Sequence, residues 1–470
     1  MTNINIKNPI LWILLISPLF LWGIILLLPT FDDWTYFTTP FYDFGSDFTN
    51  RLIPRFTYWR PWDCIFGYIL SLKPSLFPAL NHIAVYTAHI GSCICVYYIG
   101  KLLRFNNLAC NISTLFFFIS PAMLGTVLGV DSLNQAYSEF WGLLATWFYL
   151  RKRDNLHTFL WLLSTIIATF AKENGITFFV IPQILAWGFN RITLRQAIKD
   201  TIWAAICIAL YFLARIMLKN PEVYINEEYF ENTISRKLKN FGVFIGMTWI
   251  PLDYVSLIHK PCRNLIIVAI TLALGMPFIL YLFTKQRKYI ISKASLCIIV
   301  CFLVAASPHL VTLFTAMHPY ASLGMASLLV AYLIDKYTGN KRVIIALFAM
   351  YLINSLFVDY HHWIKSYQSG LTGERMASKV VEEAKSCPKN VYIIYLEQGE
   401  TKYSSFCVIP YDAFGWGNAV RFKTHLQWPK DIEYKTIYDN SAATLRSSAA
   451  AAKAYDGIWY VHGDTIDLLK

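Results

Sequence analysis

Asp32 and Asp33 stand side by side in "PTFDDWTY", a few residues beyond an apolar run that ends near Leu28. Two adjacent carboxylates at a membrane surface offer general-base chemistry, one taking a proton from a hydroxyl while its neighbour orients it or the acceptor. The same segment carries Arg51, Arg55 and Arg60, the last in "YWRPWD". Arginine holds phosphate oxygens through paired charge-assisted hydrogen bonds, each contributing roughly 1.5–3 kcal/mol. "LGVDSLNQAYSEF" adds Asp131 and, just inside the next apolar run, Glu139, and "TFAKENG" adds Lys172 and Glu173. A charge at the bilayer centre costs about 2.5–3.5 kcal/mol on insertion scales, so such residues are rarely idle. Carboxylates beside clustered cations suit group transfer from a lipid-linked sugar phosphate, the cations taking up charge that grows on the leaving phosphate. Such a donor arrives through the bilayer, and the sequence carries neither a G-x-G-x-x-G fingerprint nor a P-loop for a soluble nucleotide.

The elements that must position these groups are membrane helices. Of 470 residues, 56% are hydrophobic and 15% charged, with a mean hydropathy of +0.43, against about 45–50% and 25% in soluble domains. Apolar runs of about 17–22 residues, the length a bilayer core requires, recur near 10–28, 79–100, 108–128, 136–150, 156–171 and 175–190, then near 198–218, 264–284, 291–314, 319–335 and 342–358. This predicts an all-α polytopic membrane protein with about eleven transmembrane helices. The first run is longer than a signal-peptide core and no small-x-small site follows it, so it stays in the chain.

A net charge of +12 would suggest nucleic acid in a soluble protein. Here much of it lies in "KLLRFNN", "RKRDN", "NRITLRQAIK", "KQRKYIISK" and "DKYTGNKR", at alternate turns of the chain. The positive-inside rule makes those loops cytoplasmic, and no nucleic-acid partner is expected. The N-terminus is then cytoplasmic, while the outer face receives segments 29–78 and 219–262 and the tail. In "EEYFENTISRKLKNFGVFIG", Phe230, Ile234, Leu238, Phe241 and Ile245 recur at helical spacing, predicting a helix in the membrane interface. Residues 1–358 form the transmembrane domain. Residues 359–470 read as a small α+β extracytoplasmic domain, with strands at "NVYIIYLE", "SSFCVIPY" and "GIWYVHG" and a helix at "SAATLRSSAAAAKAY". Compact loops suit a bacterial inner membrane, with the site and the tail periplasmic.

His82 and His89 are seven apart and share a helix face, a spacing that serves core hydrogen bonding at least as well as ligation. The pair His361–His362 falls where the last run leaves the membrane and reads as interfacial. Cys93 and Cys95 point to different faces of one helix and make a poor metal clamp. Cys387 and Cys407 lie in the polar tail, where an oxidising compartment would let them pair. No cofactor is called for, and a divalent metal is compatible with the chemistry without being demanded by any ligand pattern. Each charged motif also has a plainer role: Asp32–Asp33 as a cap after a helix, Arg60 as an interface anchor beside Trp59 and Trp62, Lys172–Glu173 as a self-neutralising pair.

The order "FDDW", "YWRPW", "LNHIAVYTAHIG", "ISPAMLGTVLGVDS" and "FAKENG" resembles the N-terminal half of the GT-C glycosyltransferases, nearest the protein O-mannosyltransferase-like branch and the transmembrane-and-TPR mannosyltransferases. The resemblance covers about residues 10–190. It implies an inverting transferase that uses a polyprenyl-phosphate-linked sugar on the outer face and passes it to a cell-envelope glycan, lipid or protein. It places the catalytic base at Asp32 with Asp33 as its acidic neighbour. Arg60, His82, His89, Lys172 and Glu173 match the motifs lining the donor and phosphate region, where Arg55 adds a cation and Asp131 and Glu139 add carboxylates. The second half departs from the family: where relatives carry an Arg-Tyr-Leu-Pro-Ser-like element, this chain has "AMHPYASLGMASLL", leaving His318 or Tyr320 to take the phosphate-facing place. No TPR array follows. A polyprenyl-diphosphate-dependent polymerase or ligase shares the donor chemistry and is the nearest rival. A lipid-sugar flippase would show two related halves with ionisable groups at the midplane, and a purely structural membrane subunit leaves the outer-face charges unexplained.

Overall fold

The structure, a computed structural model, describes residues 9–30, 33–34, 52, 59–218, 233–258, 263–312, 315–383, 389–396, 418–424, 431–462 and 465–470. Asp32, Arg55, Cys387, Cys407 and the segment "SSFCVIPY" lie outside the described residues.

The chain is a multi-pass membrane protein. Five described helices are long and apolar enough to cross a bilayer alone: Ala79–Leu102, Leu194–Met217, Leu265–Lys285, Lys293–Leu310 and Lys341–Glu382. Asn107–Ile119 and Pro121–Val127 together make a sixth, bent by 45° where Ser120 and Pro121 interrupt the backbone. The remaining runs are shorter, more polar or broken. Leu133–Arg151 is long enough but opens with Asn134, Gln135, Ser138 and Glu139. The run at 175–190 is split into a 3-10 turn, Glu173–Phe179, and a short helix, Ile181–Gly188. Leu19, Trp22, Ile216, Ile266 and Ile291 are at least 65% exposed, as side chains facing lipid rather than water must be.

Helix starts follow the capping residues. Asn106, Asp154, Thr193, Asn264 and Ser292 each accept a hydrogen bond from a backbone N–H of their own first turn. At one end of the bundle the basic loops meet: Asp335 accepts from Asn106, Arg191 donates to the Leu102 carbonyl, Arg153 pairs with Asp200, and Lys293 donates to Asn190. That is the alternation the charge pattern predicts. At the other end, residues 30, 33–34, 59–60, 128–132, 172–173 and 315–318 converge. The core between them is aromatic, with Phe116, Phe117, Phe178, Phe278, Tyr320 and Tyr351 buried.

Helix Ile234–Trp249 buries Phe244 and Thr248 against the bundle and leaves Ile234 and Leu238 exposed, the disposition expected of an interface helix. Lys341–Glu383 runs 43 residues without a break, carrying the last span past position 358 into the extramembrane region. There, strands β1 (Asn390–Leu396), β2 (Asp431–Ile437), β3 (Gly457–His462) and β4 (Thr465–Leu468) form a sheet in the order β2-β1-β3-β4. β1 is parallel to both neighbours, and β4 returns antiparallel to β3. One sheet face packs under helix Ala442–Ala451 through Leu445 and Ala449, while the other closes on Met376, Ala377 and Val380 of the long helix and on Trp34.

Candidate functional site

Asp33 is a clamp. Its Oδ1 accepts from the backbone N–H groups of Val130 and Asp131 at 2.6 and 2.9 Å, and its Oδ2 accepts from the Thr30 N–H and hydroxyl at 2.9 and 3.3 Å. Burial and the Asp131 carboxylate push its carboxyl up to about 7, against the pull of those N–H donors. Trp34, 2% exposed, inserts between Phe77 and Phe422 into the core of the extramembrane domain. The two residues after Asp32 thus tie the first outer segment to the bundle and to the tail.

Asp131 accepts from the Ser132 hydroxyl, and Ser132 in turn donates to the Gly125 carbonyl and contacts Met317 Sδ. Gly125 is needed for this approach, because a Cβ there would lie 2.3 Å from the Ala316 carbonyl carbon. Lys172, 8% exposed, donates from Nζ to Met317 Sδ at 3.2 Å. The turn that presents it depends on Gly175, whose Cβ would meet the Ala168 backbone at 2.2 Å, and closes with Gly175 N–H donating to the Lys172 carbonyl.

Arg60 is the N-cap of helix Pro61–Ser71, with Pro61 at the first helical position. Its Nε and Nη2 donate to Glu173 Oε2 at 3.0 and 2.8 Å, a forked pair. Desolvation pushes the Glu173 carboxyl up, but the Arg60 guanidinium, through its charge and its hydrogen bonds, holds it below its ordinary value. Trp59 stacks on Tyr211 at 5.1 Å and leans on Phe170, fixing the backbone before Arg60.

Two histidines complete the cluster. His309 and His318 stack with centroids 4.3 Å apart, both buried. His318 Nδ1 accepts from the Thr315 N–H. Burial first, then His309, Lys172 and Arg60, hold the His318 imidazole well below its ordinary value, so it is neutral. His309 Nε2 has no hydrogen-bond partner among the described residues.

The structure therefore brings together Asp33, Arg60, Asp131, Lys172, Glu173 and His318 from the sequence-derived set, and adds His309. The sequence hid His309 inside an apolar run, and its only signal was the "SPH" interruption. Of the two residues considered for the phosphate-facing place, His318 joins the cluster. Tyr320 turns into the core, its hydroxyl on His89 Nδ1 at 3.0 Å, while His89 Nε2 donates to the Phe118 carbonyl. That occupies both ring nitrogens of His89. His82 is buried near Leu27. Glu139 lies deeper, about 9 Å along its helix from Leu133, against Gly324.

His361 and His362 grip a buried carboxylate. His361 Nδ1 pairs with Asp253 Oδ2, and His362 Nε2 lies 3.3 Å from Asp253 Oδ1. Among the described residues, no three His, Cys, Asp or Glu side chains are grouped to hold a metal ion.

The bundle has the fold of ArnT from Cupriavidus metallidurans. The crystal structure of that protein in the apo state superposes with a TM-score of 0.50 and 11% identity, over 94% of this chain and 88% of that one. The same protein bound to undecaprenyl phosphate gives 0.48 and 10% over the same shares. The Archaeoglobus fulgidus oligosaccharyltransferase tethered with an acceptor peptide gives 0.41 and 12%, over 88% of this chain and 60% of that one. The shared fold rests on the first of these. No protein-family profile matches the sequence, and no curated protein does.

Proposed function

We propose that the chain is an inverting membrane glycosyltransferase that moves a sugar from a polyprenyl-phosphate-linked donor to a cell-envelope glycan, lipid or protein on the outer face of a bacterial inner membrane. The observation that carries this reading is the convergence of Lys172, the Arg60–Glu173 pair and the neutral His318 with His309 at one end of the bundle. Two cations, the neutral imidazole of His318 and the His309 ring, whose Nε2 has no partner among the described residues, form a place for a monoanionic or dianionic group.

In this reading Asp32 is the general base. It takes the proton of the acceptor hydroxyl as the acceptor oxygen attacks the anomeric carbon. The bond from that carbon to the phosphate oxygen breaks on the opposite side, and polyprenyl phosphate leaves with the electron pair. Lys172, Arg60 and the histidines hold the growing charge. Asp33 is a positioning residue, since its oxygens are spent on holding the Thr30 and Val130–Asp131 backbones. Arg55 lies in the same outer segment and is a further candidate for the phosphate.

The test is consumption of radiolabelled polyprenyl-phosphate sugars by the purified chain in lipid, beside Asp32→Asn. Consumption of one monophosphate-linked sugar that stops in the variant supports the reading. Turnover of a diphosphate-linked oligosaccharide alone would move the chain to the polymerase or ligase class. Turnover of none would remove the transferase assignment.

A further inference from the structure

A cavity of about 800 Å³ opens at the end of the bundle opposite Arg60 and Lys172. Its floor is helix Ile181–Gly188 and its walls are the helices Leu194–Met217 and Lys293–Ala306. The lining is almost wholly apolar, with Trp187, Ile198, Ile202, Ala205, Leu296 and Val300 along it. Gly188 sets the floor close to one wall, since a Cβ there would lie 2.5 Å from Cys297 Cβ. The other wall is loosely held, with only 17% of the apolar window of Leu194–Met217 buried.

The mouth of this groove is basic. The flanking segments 189–200 and 285–293 carry three and four Lys or Arg residues against one carboxylate, Asp200, which Arg153 pairs. Lys293 stands at the rim, its Nζ donating to Asn190 Oδ1 at 2.7 Å and lying 4.4 Å from the Trp187 ring centroid. An ammonium has three donors, so this contact fixes the group while leaving capacity for an anion.

Length selects the occupant. From Lys293 to Val300 is about 10 Å along the helix, and from Leu194 to Ala205 about 16 Å, close to the roughly 15 Å of one leaflet's hydrocarbon. Along its own wall the groove ends about 13 Å short of His309, so it does not run on into the candidate catalytic cluster. We infer that it binds an anionic phospholipid of the leaflet opposite that cluster, an acyl chain lying along Ile198, Ile202 and Val300 and the phosphate drawn to Lys293. The lipid fills the gap that side chains leave and fastens Leu194–Met217 to the bundle.

The experiment uses the full chain in a zwitterionic detergent, titrated with phosphatidylglycerol or phosphatidylcholine and read by native mass spectrometry and thermal unfolding. Wild type should retain one phosphatidylglycerol at least tenfold more tightly than phosphatidylcholine, with a rise in Tm. Lys293→Glu should abolish the preference, and Ala205→Trp, at an exposed position, should block either lipid. Arg342→Glu, on another basic loop at the same end, should change nothing. Equal retention of the two lipids, an equal loss in Arg342→Glu, or undiminished binding in Ala205→Trp would each overturn the site. Displacement of phosphatidylglycerol by a polyprenyl monophosphate would assign the groove to the donor and overturn the choice of occupant.

Discussion

Two buried polar clusters sit at the same end of the bundle and each holds a pair of histidines beside a carboxylate, yet the first adds a lysine and an arginine. Around Lys172, two cations and two histidines gather with Glu173 and, by way of Met317 and Ser132, with Asp131, and His309 Nε2 has no partner among the described residues. Around Asp253, two histidines close on one carboxylate, which also accepts from the Ser256 N–H. One helical turn before His362, Asp359 is buried with both carboxylate oxygens unpartnered among the described residues. The first cluster sets a lysine and an arginine beside two buried imidazoles. The second holds its anion already, pinning the segment after Trp249 to the long helix, where Asn354 also donates to the Pro251 carbonyl. Burial alone therefore does not mark a site; the kind of groups buried together does.

The sharpest break between the two should come from chemistry. Asp32→Asn is expected to cut transfer by about 10²–10⁴-fold while donor binding and Tm hold, as measured by single-turnover transfer beside equilibrium binding. A loss of donor binding equal to the loss of rate would instead make Asp32 part of the phosphate site. Asp253→Asn should act on the fold: breaking a buried pair costs about 3–5 kcal/mol, so its thermal unfolding should shift far below wild type while the donor dissociation constant stays the same. Lys172→Met, which keeps the length and drops the charge, should weaken donor binding by about ten- to a hundredfold, the value of one charge-assisted bond of roughly 1.5–3 kcal/mol, with little change in Tm.

The smallest effect is one of pH, and it has opposite signs in the two regions. Burial pushes the Asp253 carboxyl up, but His362, the Ser256 N–H and His361 outweigh it and hold it at about 2, below its ordinary 3.8. Its contribution is complete above pH 3.8 and is lost as pH falls through about 2. Asp33 is raised to about 7, so its contribution is complete below 3.8 and is lost as pH rises through about 7. Thermal unfolding of wild type should decline from pH 6 to 8, and Asp33→Asn should flatten that decline. An unchanged slope in Asp33→Asn would place the titrating group elsewhere.

What was legible in the sequence was whatever chain chemistry fixes locally. Hydropathy located most of the apolar helices, charge alternation sorted their loops, and "KENG" and "WRPW" marked two turns because glycine admits a close backbone approach and proline fixes φ. β1, β3 and helix Ala442–Ala451 followed from their patterns in the same way. What stayed hidden depended on packing between distant segments. Asp33 looked like a second catalytic carboxylate until its oxygens were found on Thr30 and on Val130–Asp131, about a hundred residues away. His309 looked like a residue of an apolar span, and the partner of His361 and His362, Asp253, lies over a hundred residues back. No periodicity encodes such pairs.

The most direct test of the contrast is equilibrium binding of a polyprenyl monophosphate to wild type, Lys172→Met and Asp253→Asn in lipid nanodiscs at a temperature where all three are folded. The cluster around Lys172 should bind the phosphate, so Lys172→Met is expected to lose at least tenfold in affinity while Asp253→Asn matches wild type. Equal affinities in wild type and Lys172→Met, or a loss confined to Asp253→Asn, would contradict the assignment of the anion to the first cluster.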